Sequence, residues 1–261
     1  MTKDLAISLI QAPLYWESPE KNRSEMERRM ASAVSAPVDV FVLPEMFTTG
    51  FTMKAMENAE PTEGPTTDWL RETAGKLNAV VCGSLIIEEQ GRYYNRFLWA
   101  PPDGPIQYYD KKHLFRMAGE HEHYTAGTER LVVEIKGWKV CPMVCYDLRF
   151  PEWSRNKYAP DTGAPDYDVL LYAANWPAVR SAAWDTLLKA RAIENLAYCA
   201  GVNRTGTDGN DVEYSGHSAV YDFTGKTIAF SEKEEILSVS VQKAPLDDFR
   251  KKFPAWLDAD F

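Results

Sequence analysis

Short apolar runs rich in Val, Ile, Leu and Tyr recur from one end of this chain to the other, and that recurrence limits the fold more than any other feature. They occupy Leu5 to Ile10, Val38 to Leu43, Val80 to Ile87, Tyr93 to Ala100, Leu131 to Ile135, Val140 to Val144, Val169 to Ala174, Tyr198 to Val202, Ser218 to Tyr221 and Ile236 to Val241. Runs of this length and composition, bounded by turn residues, are strands. Helical segments separate several of them. One opens at Ser18-Pro19, a hydroxyl N-cap with proline at N1, and carries Met26, Met30 and Val34 as a stripe. A second starts near Thr66 or Thr67 and carries Trp69, Leu70, Ala74 and Leu77, and a third runs from Ser181 to Leu196 with Trp184, Leu187, Leu188 and Ala192 on one side. Gln90-Gly91 and Lys136-Gly137 read as hairpin turns, whereas the helix-linked strands read as crossovers. The predicted architecture is mixed α/β, with two sheets covered by helices.

With 261 residues, 45% hydrophobic and 12% aromatic, the chain has enough apolar surface for one large core, and a single domain over 1–261 is expected. Neither a fixed-period repeat nor a linker divides it; the loop Ala159 to Pro165 reads as a surface excursion. The 38 acidic and 29 basic side chains leave a net charge of −9, which disfavours nucleic acid and anionic membrane surfaces as partners. The longest apolar run, Val169 to Ala174, stops at Asn175, far short of a membrane span, and Leu5 to Ile10 reads as a first strand rather than a signal peptide. Cys82, Cys141, Cys145 and Cys199 have neither CxxC spacing nor disulfide-scaffold density, so a reducing, cytoplasmic setting is expected.

Three positions carry candidate chemistry. Cys145 ends an apolar strand and precedes the polar string Tyr146-Asp147-Leu148-Arg149-Phe150-Pro151-Glu152, where the next backbone N–H can receive an oxyanion. On spacing alone a buried packing thiol is the commoner reading, and Pro142 argues against an interior strand. Glu45 follows the strand Val38 to Leu43 among apolar neighbours, an environment that raises a carboxyl pKa toward general-base use; a capping or ion-pairing glutamate is the alternative. Lys111 and Lys112 follow Ile106 to Tyr109. Adjacent lysines are usually a solvated face, but one held beside a thiol would stabilise negative charge on an attacked carbonyl. His121 and His123 have HxH spacing, too little to imply a metal, and no glycine-rich phosphate cradle precedes a helix, so no cofactor is expected.

Taken in chain order, Leu43-Pro44-Glu45-Met46-Phe47, Tyr109-Asp110-Lys111-Lys112-His113-Leu114-Phe115 and Val144-Cys145-Tyr146-Asp147-Leu148-Arg149-Phe150-Pro151-Glu152 resemble the Glu, Lys and Cys triad of the nitrilase superfamily of carbon–nitrogen hydrolases. The likeness continues through Ala174-Asn175-Trp176-Pro177, Lys189 to Asn195, Val202-Asn203-Arg204 and Gly216-His217-Ser218, nearly the whole chain. It implies a four-layer α-β-β-α sandwich of the nitrilase type. It selects Lys111 over Lys112, and it points to Glu120 as a further glutamate, with Glu122 as the fallback because Thr125-Ala126-Gly127 lacks the family's proline. It also implies a cofactor-free cysteine mechanism and pairing as a homodimer.

The stretch from Tyr109 to Ala118 with Glu120-His121-Glu122-His123-Tyr124 is similar to the omega-amidase branch, which implies hydrolysis of the terminal amide of 2-oxoglutaramate or 2-oxosuccinamate. An N-carbamoyl or other linear amide is the alternative substrate, and a non-catalytic binding member of the fold is the alternative class. A substrate carboxylate calls for an arginine, and Arg116 and Arg149 are the candidates, with Tyr146, Phe150 and Trp176 as further pocket residues. In the tail, Phe249, Phe253, Trp256, Leu257 and Phe261 are expected to pack over this chain's core or a neighbouring subunit.

Overall fold

The computed structural model describes residues 4–33, 37–159 and 163–258. In chain order the strands are β1 (Leu5–Gln11), β2 (Val40–Val42), β3 (Glu60–Pro61), β4 (Val80–Glu89), β5 (Arg92–Ala100), β6 (Gln107–Asp110), β7 (Val133–Ile135), β8 (Trp138–Val144), β9 (Val169–Ala173), β10 (Tyr198–Val202), β11 (Thr205–Thr207), β12 (Glu213–Ser215), β13 (Ser218–Tyr221), β14 (Thr227–Ser231) and β15 (Glu235–Val241). The α-helices are α1 (Pro19–Ser32), α2 (Ala55–Asn58), α3 (Pro65–Leu77), α4 (Glu120–His123), α5 (Pro151–Ser154), α6 (Ser181–Asn195) and α7 (Lys243–Lys252).

Two mixed sheets form. The first has the order β15-β1-β2-β4-β5-β6, with β3 beside β4, and the second has the order β14-β13-β10-β9-β8-β7. The centre of each is a parallel trio, β1-β2-β4 and β10-β9-β8, and the flanking pairs are antiparallel. Period-two alternation divides the first sheet between two environments. Leu5, Ile7, Leu9, Val40, Val42, Val80, Cys82, Phe97 and Trp99 face the second sheet and share one core with its residues. Ile10, Phe41, Leu43, Val81, Leu85 and Leu98 face the other way, onto Met26 and Met30 of α1 and Leu70 and Ala74 of α3. On the far side of the second sheet, α6 buries Trp184, Leu188 and Ala192, and α7 buries Leu246. The layers are therefore helix, sheet, sheet, helix.

Local readings mostly hold, with instructive exceptions. Gln90-Gly91 and Lys136-Gly137 join antiparallel strands with positive φ at both residues, as two-residue turns matched to strand twist require. Pro19 does begin α1, but Ser18 caps nothing: its hydroxyl donates to the Trp16 carbonyl at 3.1 Å. Val34 lies outside the described residues. Pro142 sits inside β8, in the interior of its sheet, against expectation. The reason is that β7 pairs only with Trp138, Lys139 and Val140, so at Pro142 the β7 side of β8 asks for no N–H.

In the tail, Phe249 packs on Phe223 at a ring distance of 4.8 Å and Trp256 stacks on Tyr158 at 5.0 Å, whereas Phe253 and Leu257 remain exposed; Phe261 lies outside the described residues. Among the described residues, no helix is long and apolar enough to cross a membrane.

Candidate active site

The carboxyl ends of both parallel trios point to one region, the place where α/β sheets gather loops around ligands. Glu45 lies just past β2, where the chain must leave the sheet. Its path is held by Leu43 N–H on the Cys82 carbonyl (2.7 Å), by Met46 N–H on Ser84 Oγ (2.9 Å) and by Phe47 N–H on the Ser84 carbonyl (3.0 Å). A side chain at Gly83 would put its Cβ 2.8 Å from Leu43 Cβ, so only glycine lets the two segments approach.

Lys111 follows β6, with its N–H on the Asn95 carbonyl (3.0 Å) and its carbonyl receiving Gly127 N–H (2.9 Å). Gly127 crosses so close that a Cβ there would lie 2.1 Å from the Asp110 carbonyl oxygen, so only glycine fits at this crossing. This crossing brings the short helix α4 back over the lysine. The Lys111 ammonium bonds Glu45 Oε1 at 2.8 Å and the two Glu120 oxygens at 3.0 and 2.9 Å. All three side chains are buried. Glu122, the fallback, is exposed.

Cys145 follows β8 and starts a 3₁₀ turn, Cys145–Arg149, with φ of +43°, an uncommon left-handed conformation for a side-chain-bearing residue. Asp147 braces that corner. One of its oxygens accepts Val144 N–H (3.0 Å) and the Tyr109 hydroxyl (2.7 Å); the other accepts His113 N–H (2.9 Å) and lies 2.8 Å from His113 Nδ1. A single buried carboxylate thus ties the cysteine turn to the lysine loop.

Glu45 reaches the same corner. Its Oε2 accepts Asn175 N–H at 2.9 Å, and the Cys145 thiol donates to the carbonyl of the same Asn175 at 3.8 Å, so one residue joins the carboxylate to the sulfur. Asn95 donates its amide to Glu45 Oε1 (2.8 Å) and to Glu120 Oε1 (3.3 Å), bridging the two carboxylates. The structure therefore brings Glu45, Lys111, Glu120 and Cys145 together.

Two carboxylates around one ammonium leave the cluster one negative charge in excess, and the pKa shifts follow. Burial, the Glu45 charge and a hydrogen bond to Glu45 push the Cys145 thiol well up against the opposing pull of Lys111, so sulfur keeps its proton at rest. Burial alone would discharge Lys111, but Glu120 and Glu45 outweigh it and hold the ammonium above its usual range. Glu120 is pushed up by burial, against Lys111 and with help from Glu45.

A cavity of about 420 Å³ opens onto this cluster, a size typical of small-molecule sites. Lys111, Cys145, Tyr146, Arg149 and Trp176 line it, as do Phe51, Phe115, Arg180 and Tyr214. Two proposed pocket residues do not. Arg116 opens an exposed 3₁₀ turn, Arg116–Ala118, from which Met117 and Ala118 reach the cavity instead. Phe150 stacks on His113 at 3.8 Å, supporting the lysine loop from behind.

Sequence reasoning missed Asn95, Asn175, Asp147 and Arg180 as site residues. A signal existed for the first, an amide on the strand face otherwise filled by Phe97 and Trp99, and for Asn175, the polar stop of the longest apolar run. The other three cysteines, Cys82, Cys141 and Cys199, are fully buried, and burial raises each thiol.

Comparison with known proteins agrees with this geometry. Residues 6–251 match the family model for carbon-nitrogen hydrolases. The chain is 48% identical to omega-amidase YafV of Yersinia enterocolitica over 98% of this chain and 97% of that one. It is 34% identical to the 2-oxoglutaramate amidase of Bacillus subtilis strain 168, over 97% and 96% of the two chains. Its fold superposes on XC1258 from Xanthomonas campestris, a CN-hydrolase superfamily protein, with a TM-score of 0.96 and 46% identity over 99% and 98% of the chains. With the family model spanning nearly the full length and the fold reproduced layer for layer, this chain belongs to the carbon-nitrogen hydrolases of the nitrilase superfamily.

Proposed function

We propose that the protein is an omega-amidase that hydrolyses the terminal amide of 2-oxoglutaramate or 2-oxosuccinamate to a 2-oxo dicarboxylic acid and ammonia. The observation that carries this reading is the meeting of a thiol, a buried carboxylate and the buried ammonium bonded to that carboxylate, at the floor of a cavity whose walls also carry guanidinium groups. Full-length likeness to proteins named for this activity supports it.

In this reading Glu45 takes the thiol proton as Cys145 Sγ attacks the amide carbon. The oxyanion is received by the Lys111 ammonium and by the N–H of Tyr146, in the first turn, where helical geometry offers that group no carbonyl. Glu45 returns the proton to the amide nitrogen, the C–N bond breaks and ammonia leaves, with a thioester on sulfur. Water then attacks the thioester carbon and gives a proton to Glu45; the C–S bond breaks, sulfur regains the proton and the acid departs. Glu120 orients Lys111 and the substrate amide. The raised thiol pKa fits this sequence, because it keeps sulfur neutral until substrate and base act together. No step calls on a metal or organic cofactor.

The chain acts in this reading as a single domain over 1–261 with a small amide as partner, in a cytoplasmic setting and paired with a second copy; light scattering on the purified protein reads the pairing. The activity is tested by ammonia release from 2-oxoglutaramate, glutamine and an N-carbamoyl amino acid side by side. The expected result is a clear preference for 2-oxoglutaramate. Preference for the carbamoyl compound would replace the substrate assignment, and no turnover of any amide would overturn the reading.

A further inference from the structure

Among the described residues, buried guanidinium groups end on carboxylates or backbone carbonyls: Arg96 on Asp110 and Glu89, Arg191 on Glu194 and the Leu148 carbonyl, Arg250 on Asp168 and two carbonyls. The two that line the cavity, Arg149 exposed and Arg180 half-buried, do not. Arg149 lies 5.1 Å over the Trp176 ring, and Arg180 lies 5.4 Å over the Phe115 ring, its Nη2 donating to Met117 Sδ at 3.2 Å. Among the described residues neither ends on a carboxylate. A thioether is a weak acceptor, so this Arg180 nitrogen gains little from its partner.

The backbone of Arg180, by contrast, is fixed. Its N–H donates to the Pro177 carbonyl (2.9 Å), and its carbonyl accepts Trp176 Nε1–H (2.8 Å). The indole that carries Arg149 on its face therefore anchors Arg180 by its edge, so one side chain sets the spacing of both cations. Its thioether partner sits on Met117, which is 76% exposed and thus loosely held. Asp208 also lines the cavity, but its oxygens are occupied by Asn210 N–H, Val212 N–H and the Tyr214 hydroxyl.

We infer that Arg180 is a specificity-determining residue: together with Arg149 it receives the carboxylate of the substrate at the end remote from the amide, releasing Met117 as it does so. This rests on the omega-amide reading and sharpens it, because it assigns the selection of acids over neutral amides to a residue outside the family motifs. Exchange of a thioether contact for a charge-assisted fork to carboxylate is favourable only for an anionic substrate. A neutral amide of the same length gains nothing from it, and a cationic one is repelled.

The test has two arms. In the first, kcat/KM for 2-oxoglutaramate and for pentanamide is measured with wild type, Arg180→Met, Arg180→Lys and Arg180→Glu. Arg180→Met is expected to lose about 10- to 100-fold on the acid, chiefly through KM, and less than about threefold on the neutral amide. Arg180→Lys should recover part of the loss, and Arg180→Glu should fall below Arg180→Met on the acid. Equal losses on both amides would mark a merely structural arginine and overturn the inference. In the second arm, glutarate is titrated into wild type and Arg180→Met by calorimetry, with no dependence on turnover. Weakening by about tenfold or more supports the assignment, whereas equal binding, or none to wild type, overturns it. Failure of wild type to hydrolyse 2-oxoglutaramate while glutarate binding still depends on Arg180 would instead strike at the substrate assignment alone.

Discussion

Buried ionic clusters lie at both ends of β9. Before its first residue, Asp168 meets Lys243 and Arg250 of α7, and Arg250 also donates to the Leu196 and Tyr167 carbonyls. Beyond its last residue, Asn175 meets Glu45, which shares Lys111 with Glu120. The first cluster has two cations for one carboxylate and spends the surplus on carbonyls. The second has two carboxylates for one cation, plus a thiol, and leaves Asn95 Oδ1 and Asn175 Oδ1 buried without partners. In the first, burial works to raise Asp168, but the bond and charge of Lys243 and the charge of Arg250 outweigh it and hold the carboxyl low. In the second, burial and Glu45 prevail over Lys111 and Glu120 ends high. Similar ingredients thus give a clamp at one end and a poised acid–base site at the other, and what separates them is the sign of the surplus charge.

The comparison breaks most sharply at Cys145. Cys145→Ala is expected to cut amide hydrolysis by roughly 10³-fold or more while the urea midpoint stays unchanged; an active alanine variant removes the chemical reading of that end. Next come the two central cations. Lys111→Met should abolish ammonia release from the folded protein, whereas Arg250→Met should cost roughly 3–5 kcal/mol in urea unfolding and leave kcat within about twofold. Equal effects of both variants on activity would erase the distinction between the clusters.

A smaller effect separates the carboxylates by pH. Asp168 is held below its unfolded value of 3.8, so its contribution to stability is complete above that value and is lost as pH falls through the folded one. Glu120 is raised above 4.5, so its cost to stability is absent below 4.5 and grows as pH rises toward its folded value. Urea stability measured against pH should lose its acid slope below about pH 4 in Asp168→Asn, and lose the opposite slope, above about pH 4.5, in Glu120→Gln. The same slope in both variants would contradict the assignments. The smallest readout is chemical access. With Cys145 at 8% exposure and the other three thiols at 0%, iodoacetamide should label Cys145 first, as mass spectrometry of short incubations reads directly.

The parts of this fold that could be read from sequence are those governed by neighbours along the chain. Short apolar runs marked β1, β2, β4 and β5, and Gln90-Gly91 and Lys136-Gly137 marked two hairpins, because run length and turn chemistry are local. The positions of Glu45, Lys111 and Cys145 were legible through motifs. Pro142 was misread because its tolerance depends on where β7 stops, and Ser18 because its hydroxyl found the Trp16 carbonyl instead of the helix. Arg116 drew attention by nearness in sequence to Lys111, yet it is Arg180, 69 positions from that lysine, that the fold carries into the cavity beside the expected Arg149. Asn95 and Asp147 escaped notice for the same reason: each takes its meaning from partners contributed by distant segments.

The division of the site between the two sheets bears on the order in which the chain can fold. Glu45, Lys111 and Glu120 belong to loops of the first sheet, Cys145 to the second, and the first sheet is completed only when β15 pairs with β1. A chain in which the two sheets have not yet stacked therefore cannot bring the base, the cation and the sulfur into register, whatever strands each sheet has already paired. The site is thus a product of sheet stacking, and neither sheet carries it alone.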